Sequence, residues 1–416
     1  MSMQLLAKVL APLLGLFILS VGNGFLSSLT TLRLDASGAS ANMVGIVSSA
    51  YFIGLTIGAL FHDRLIVRIG HIRAYSSFAS LGVVSILMQA LSPDWTVWIL
   101  ARLVYGWTTV GIFLVIESWL LLAADQSVRG RLLALYMISF YGAGALSQVL
   151  LGSVAGLGET APFITAAMLA SLSVLPIVIL PRITPTVERV EALKPSRLFQ
   201  MSPSGVIGCF GSGVAIAAIY SLLPLYLQHT GLQVEEVGHM MASVILGAMV
   251  LQYPVGRWSD RQDRRIVLIT LAFICLLLCA AILLLPHTST TLMITMFLFG
   301  GGVFAIYPVS VSFAADRASS ESLVPIIQGL LLINSLGSAI SPIAISPVMN
   351  HFGASGLFWS LAVLNVGLIS FFFWRRGVRP ESNHVAPFAA TTAMTPVGAE
   401  LRVTDEMIQG VHDNET

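Results

Sequence analysis

Apolar residues run through this chain in long uninterrupted blocks, not in the alternating or one-faced patterns of soluble strands and helices. Blocks bounded by charge or turn signals fall at Val9 to Leu32, Met43 to Phe61, Ile72 to Leu91, Trp95 to Leu122, Leu132 to Leu157 and Thr160 to Leu180. The segment Pro181 to Ser204 follows, with four prolines and mixed charge. Six more blocks then lie at Gly205 to Leu227, Gly238 to Val255, Ile266 to Leu285, Ser289 to Phe313, Leu323 to Met349 and Gly353 to Trp374. As helices of roughly 20 residues they are long enough to cross about 30 Å of hydrocarbon. The pattern predicts an all-α integral membrane protein with twelve spans.

Composition agrees: 56% of residues are hydrophobic and only 10% are charged, too few charges to cover a water-exposed surface. A net charge of +1 offers no basic field for nucleic acid, so the expected partners are the lipid bilayer and a small-molecule substrate. Cys209, Cys275 and Cys279 all lie in apolar blocks without flanking His or carboxylates, so they read as packing residues and no metal is expected. No P-loop or other cofactor motif appears, and the chain does not read as an enzyme. The first block lacks a signal peptide's charged flank and cleavage site, so it reads as a retained span.

Charge placement is more informative than net charge. Arg64, Arg68, Arg73, Arg129, Arg131, Arg182, Arg189, Lys194 and Arg197 flank the even-numbered spans of the first half. Arg257, Arg261, Arg264, Arg265, Arg317, Arg375, Arg376 and Arg379 do so in the second, and the opposite loops hold only Arg33. By the positive-inside rule both termini and the central segment are cytoplasmic. The halves also echo one another: Ala123-Ala124-Asp125 closes span 4 as Ala314-Ala315-Asp316 closes span 10, and the same offset lays Gly22 on Gly213. The expected division is a six-helix bundle over 1–180, a cytoplasmic linker over 181–204, a second bundle over 205–376, and a disordered cytoplasmic tail over 377–416, polar and without apolar period.

Two arginine-rich stretches carry a recognisable motif. Gly256-Arg257-Trp258-Ser259-Asp260-Arg261 followed by Arg264-Arg265 resembles the G-x-x-x-D-R-x-G-R-R loop of the major facilitator superfamily, with Asp263 where that motif has its second glycine. Asp63-Arg64, then Arg68-Ile69-Gly70 and Arg73, is a more widely spaced version. Arg102 to Gly106 is similar to the family's R-x-x-x-G signature. The runs Gly45 to Phe52, Arg68 to Gly70, Glu117-Ser118 and Tyr307-Pro308 resemble its YcaD-like branch of bacterial transporters. The resemblance spans all twelve blocks and implies two pseudo-symmetric bundles working by alternating access in the bacterial inner membrane, as a monomer. The antiporter Gly-Pro motif of span 5 is absent, since no proline follows Gly142-Ala143-Gly144.

A few polar residues inside the spans are candidates for substrate or proton chemistry. Arg102 sits about seven residues into span 4, where a charge costs about 2.5 to 3.5 kcal/mol and needs partners. With Gly106, Thr109, Phe113 and Glu117 it forms one helix face, but Glu117 is about 22 Å away along the axis and cannot pair with it. Asn23, Ser27 and Thr30 stripe one face of span 1, which makes Asn23 the expected contact of Arg102. Arg102 is then either a substrate or proton-coupling group or a clamp between helices. Glu117 reads as a gate latch to Arg64, Arg68 or Arg73, or as a proton carrier.

Gln148, Tyr220 and Asn334, the last with Ser338 and Ser341, read as helix glue or as lining of a central cavity. Tyr51, Trp95 and Trp98 read as interfacial or core aromatics. Asp63, Arg64, Arg68, Gly70, Arg73, Gly256, Asp260, Arg261, Arg264 and Arg265 read either as plain positive-inside loops or as locks between two conformations. The favoured function is secondary transport of a small organic solute, with protons the candidate coupling ion. The alternatives are an uncoupled facilitator and a non-transporting membrane sensor or scaffold.

Overall fold

The computed structural model describes residues 3–123, 129–178, 194–284, 289–317 and 323–378, apart from the side chains of residues 3–9, 63, 121–131, 133, 324, 377 and 378. Spans 1 to 5 are the helices Met3–Ala36, Ala41–Ile69, His71–Leu91, Trp95–Ala123 and Arg129–Ala155. Span 6 is broken into Ala161–Leu172 and Leu175–Val178. A short helix, Pro195–Met201, leads into spans 7 to 12: Pro203–His229, Val234–Ser259, Arg264–Leu284, Ser289–Ala315, Leu323–Phe352 and Gly356–Val378. Among the described residues twelve helices are long and apolar enough to cross a membrane. The predicted class therefore holds. Most of the linker, the tail from residue 379, Asp125 and the side chains of Arg129 and Arg131 lie outside the described residues.

Span 2 runs to Ile69, past the expected end at Phe61, because the helix continues through the charged segment until Gly70. That glycine alone joins spans 2 and 3, at φ 84°, a left-handed geometry that any Cβ would strain. The equivalent turn after span 8 is built differently. Asp263 accepts the Arg265 backbone N–H at Oδ1 (2.8 Å), opening span 9 with a side-chain cap where the motif's glycine is missing.

Short loops make successive spans antiparallel, so their ends gather on two faces: an arginine-rich end, and an arginine-poor end holding Arg33. Within the first half span 2 packs on 4, 1 on 5 and 6, and 3 on 4 and 6. The second half repeats the pattern six spans on: 8 on 10, 7 on 11 and 12, and 9 on 10 and 12. The halves meet where span 1 faces 7, span 2 faces 11 and span 5 faces 8, a pairing that maps onto itself under the same shift. Two pseudo-symmetric bundles are the result.

Lipid gives apolar helices no hydrophobic reason to associate, so close backbone packing has to hold them. Gly54 and Gly106 are reciprocal, since a Cβ on either would strike a backbone carbonyl of the other's helix, Leu103 O or Tyr51 O. Gly247 and Gly300 repeat this between spans 8 and 10, against Phe297 O and Val244 O. The offset that pairs Gly22 with Gly213 does not equate their contacts: Gly22 faces Ala166 and Leu169 of span 6, whereas Gly213 faces Asn334 of span 11.

Gly300→Val is expected to destabilise the protein by about 2 kcal/mol or more, because the clash is with backbone that cannot turn aside. Gly367, with nothing within 4 Å of its Cβ position, is the control. Thermal melts of detergent-purified protein should show a clear drop for the first, and no drop for Gly367→Ala.

Candidate functional site

Two adjoining hollows occupy the seam between the halves, with about 700 Å³ and 540 Å³ of free space, their open mouths included. They share Phe52, Phe140, Tyr141 and Tyr220, and so form one cavity. Ser20, Asn23 and Ser27 of span 1 line one wall; Asn334, Ser335 and Ser338 of span 11 line the other. Phe304 and Tyr307 of span 10 complete it. The expected site residues Asn23, Ser27, Tyr220 and Asn334 thus come together, while Arg102, Glu117 and Gln148 stand outside the lining.

Arg102 is 3% exposed, and its guanidinium lies 4.5 Å from the centroid of the Tyr51 ring and 6.0 Å from that of Tyr105. The expected hydrogen bond to Asn23 is replaced by a relay: Tyr51 OH donates to Asn23 Oδ1 (3.4 Å), and the cation rests on the tyrosine's face. The reason is steric. Gly106 brings spans 2 and 4 so close that Tyr51 fills the space between Arg102 and span 1. Tyr51 is therefore a buried wall of the cavity, the core member of the two readings its place in the sequence allows. Thr30 turns back onto Leu26 O (2.6 Å) and leaves the stripe to Asn23 and Ser27.

Gln148 is spent on helix packing: its amide donates to Gly24 O (2.7 Å) and its carbonyl accepts from Ser28 (2.9 Å), tying span 5 to span 1. Span 11 does the same to span 7, where Asn334 donates to Cys209 O (3.0 Å) and Ser341 to Val214 O (2.6 Å). Glu117, 1% exposed, accepts a hydrogen bond from Tyr136 of span 5 at 2.5 Å. It does not pair with Arg64, Arg68 or Arg73, which are exposed at the surface beyond it. The carboxylate lies about 9 Å inside the end of span 4, out of their reach.

Contacts between the halves gather toward the arginine-poor end. Ser27 donates to Tyr220 O (3.1 Å), Thr31 to Ser221 O (2.7 Å), and Asp35 pairs with His229 at 2.9 Å. Gly45 admits Ser346 and Pro342 of span 11, and Gly238 admits the Gln148 carbonyl. Gly152 meets Glu235 there too. Nearer mid-span, Gln252 donates to Tyr141 OH (3.1 Å) and Tyr141 meets Phe304 edge-on at 6.2 Å. At the same end Arg33 pairs with Glu159 (2.8 Å) and holds that carboxyl below the usual range, so the pair weakens only as pH falls through the lowered value.

The arginine-rich end of the second half carries an ion network. Arg264, 1% exposed, reaches Asp316 of span 10 at 3.0 Å and Asp260 of span 8 at 3.2 Å. Arg265 donates to Arg375 O of span 12 (3.1 Å). Of the motif residues read as a lock, Arg261 is exposed, and the pairing with Asp260 is made by Arg264. Sequence reading missed Asp316 as the partner, although the repeat had marked it. It also missed the cavity aromatics Phe52, Phe140, Tyr141 and Phe304, whose spacing looks like ordinary core. His62 went unremarked: it is buried against Phe78 and Trp107, each ring centroid 4.5 Å away.

The sequence profile of the Major Facilitator Superfamily matches residues 12–330 and 205–403 of this chain. The MFS-type transporter YcaD of Escherichia fergusonii is 31% identical over 381 residues, 91% of this chain and 98% of that protein. Its counterpart in Salmonella typhi is 30% identical over 384 residues, 91% of this chain and 98% of that one. Among solved structures, the nucleoside transporter NupG superposes with a TM-score of 0.73 at 15% identity, over 88% of this chain and 98% of its own. The D-xylose–proton symporter does so at 0.63 and 16%, over 89% and 96%.

Removing one partner of a buried ion pair strands a charge, whereas an exposed pair contributes little. Asp316→Asn is expected to destabilise by about 3 kcal/mol or more, and Asp260→Asn by about 1 kcal/mol or less. Thermal midpoints of the two variants side by side test this ranking.

Proposed function

The chain belongs to the Major Facilitator Superfamily, and on that premise we propose that it carries a small organic solute across the bacterial inner membrane by alternating access. The cavity carries this reading: both halves line it, and their mutual contacts cluster on one side of it. With the arginine-rich end and both termini in the cytoplasm, this is an inward-facing state whose outer gate is closed by spans 1 and 7, 2 and 11, and 5 and 8. The working units are the bundles 1–180 and 205–376, joined by the linker 181–204 and followed by the tail 377–416. A single chain holds the whole cavity, and a monomer suffices.

Transport follows from rocking the bundles about that seam. Asn23, Ser27, Tyr220 and Asn334 meet the solute, while Gln148 holds span 1 in register. Asp260, Arg264 and Arg265, with Gly256, set the stability of the second bundle's cytoplasmic edge, and Asp63, Arg64, Arg68, Gly70 and Arg73 do so in the first. Glu117 and Arg102 are the coupling candidates if protons drive the cycle, because both are buried ionisable groups, Arg102 lying behind the cavity residue Tyr51. Uncoupled facilitation is the second reading. It is favoured by the cavity lining, which holds no carboxylate among the described residues.

Alternation is measurable without knowing the substrate. A cysteine at Asn23, in a background freed of the three native cysteines, is expected to react with an impermeant maleimide from both membrane faces. Adding Asp35→Cys and His229→Cys and oxidising them should abolish labelling from the outer face and spare the inner. Labelling from one face only in the unlocked protein contradicts the proposal. Glu117→Gln should abolish any pH dependence of the outer-face labelling rate; an unchanged profile removes Glu117 as the proton site.

A further inference from the structure

Resting on the transport reading above, we infer that the central cavity takes an uncharged solute built on a flat ring, and that Arg102 makes it reject the cationic form of that ring. Three observations converge. The first is the set of aromatics. Phe52, Phe140 and Tyr141 come from one half and Tyr220, Phe304 and Tyr307 from the other, so a solute between them has rings on both sides. Tyr220 and Tyr141 both meet Phe304 edge-to-face, at 5.8 Å and 6.2 Å, which fixes a rigid aromatic corner across the seam. Such walls favour a planar, polarisable solute over a saturated one of equal size.

The second observation is the kind of polar group present. No Asp, Glu, Lys, Arg or His lines either hollow among the described residues. A charged solute would leave water without a counter-charge to receive it. Neutral hydrogen-bonding capacity is available instead. Ser20, whose buried Oγ has no partner, lines the hollow with Asn23 and Tyr220. These groups suit an amide, hydroxyl or ring nitrogen.

The third is Arg102. It forms no ion pair with a carboxylate among the described residues, so its charge acts on the cavity through the Tyr51 ring that separates them. Water and salt screen such a buried charge poorly. Its field opposes a cation, yet the intervening ring keeps an anion from reaching the guanidinium. The order that follows is neutral first, anion second, cation last.

The test uses indole-3-carboxamide, indole-3-carboxylate and indole-3-carboxamidine, which share one ring and nearly one shape and differ in charge. Binding to the purified full chain in nanodiscs is measured by saturation-transfer NMR, with cyclohexanecarboxamide as the non-planar control. The carboxamide is expected to bind on the order of tenfold or more tighter than the carboxamidine. It should also bind more tightly than the carboxylate, with the saturated control weakest. Tyr220→Phe should weaken the carboxamide several-fold, and Arg102→Gln should bring the carboxamidine closer to it. If Arg102→Gln does not fold, the wild-type series decides alone. Equal or tighter binding of either charged member, or no binding by any member, overturns the inference. Because maleimide labelling tests alternation with no ligand, a failed ring series beside intact alternation sinks only the substrate class.

Discussion

Two six-helix bundles of this protein meet chiefly along three pairs of spans, and what joins them is close packing of apolar side chains and a handful of hydrogen bonds. In hydrocarbon there is no water to expel, so a contact between helices is worth only its packing and its polar bonds. Thr31 on Ser221 O, Ser27 on Tyr220 O and the Gly45 and Gly238 approaches are such contacts, and they lie toward one end of the seam. A seam of this kind separates at modest cost. The interiors of the bundles are held by the same kinds of contact, reciprocal glycines and polar side chains spent on carbonyls, as with Gln148 on Gly24 and Asn334 on Cys209. What distinguishes the seam is that its polar contacts gather toward one end of the cavity, the asymmetry a rocking mechanism needs.

Charge is distributed to the same end. At the edge of the second bundle the buried Arg264 bridges spans 8 and 10 through the buried Asp316 and the exposed Asp260. The pair that crosses the seam, Asp35 with His229, is partly exposed and correspondingly weak. Arg102 belongs to neither group. It sits between spans 2 and 4 on the face of Tyr51, where it adds a positive field to the cavity without entering it.

Much of this was legible in the residues alone. Span number and class follow from block length, because a helix that crosses hydrocarbon has to be apolar for about 20 residues. The stripe Asn334, Ser338 and Ser341 was visible as a stripe, since a 3.6-residue period needs no partner to be seen. Its partner was not, because nothing in span 7 marks the carbonyls it meets. Tyr51 stays open between interface and core for a related reason: an aromatic near the start of a span looks the same whether it faces headgroups or a buried guanidinium. The cavity rings share that ambiguity with every core phenylalanine. Asp263 departed from the motif's glycine, and only the Arg265 N–H bond reveals that a side-chain cap does the work of the missing turn.

The central claim is that the halves exchange a seal at one end of the cavity for a seal at the other. Pulsed electron–electron distance measurement on the protein in nanodiscs tests it most directly. One label pair replaces Ser37 and Thr230 across the arginine-poor end, and a second replaces Arg73 and Arg261 across the arginine-rich end. The account predicts two populations, with the outer distance lengthening in the fraction where the inner one shortens. A single population at both ends, or distances that lengthen together, would contradict it.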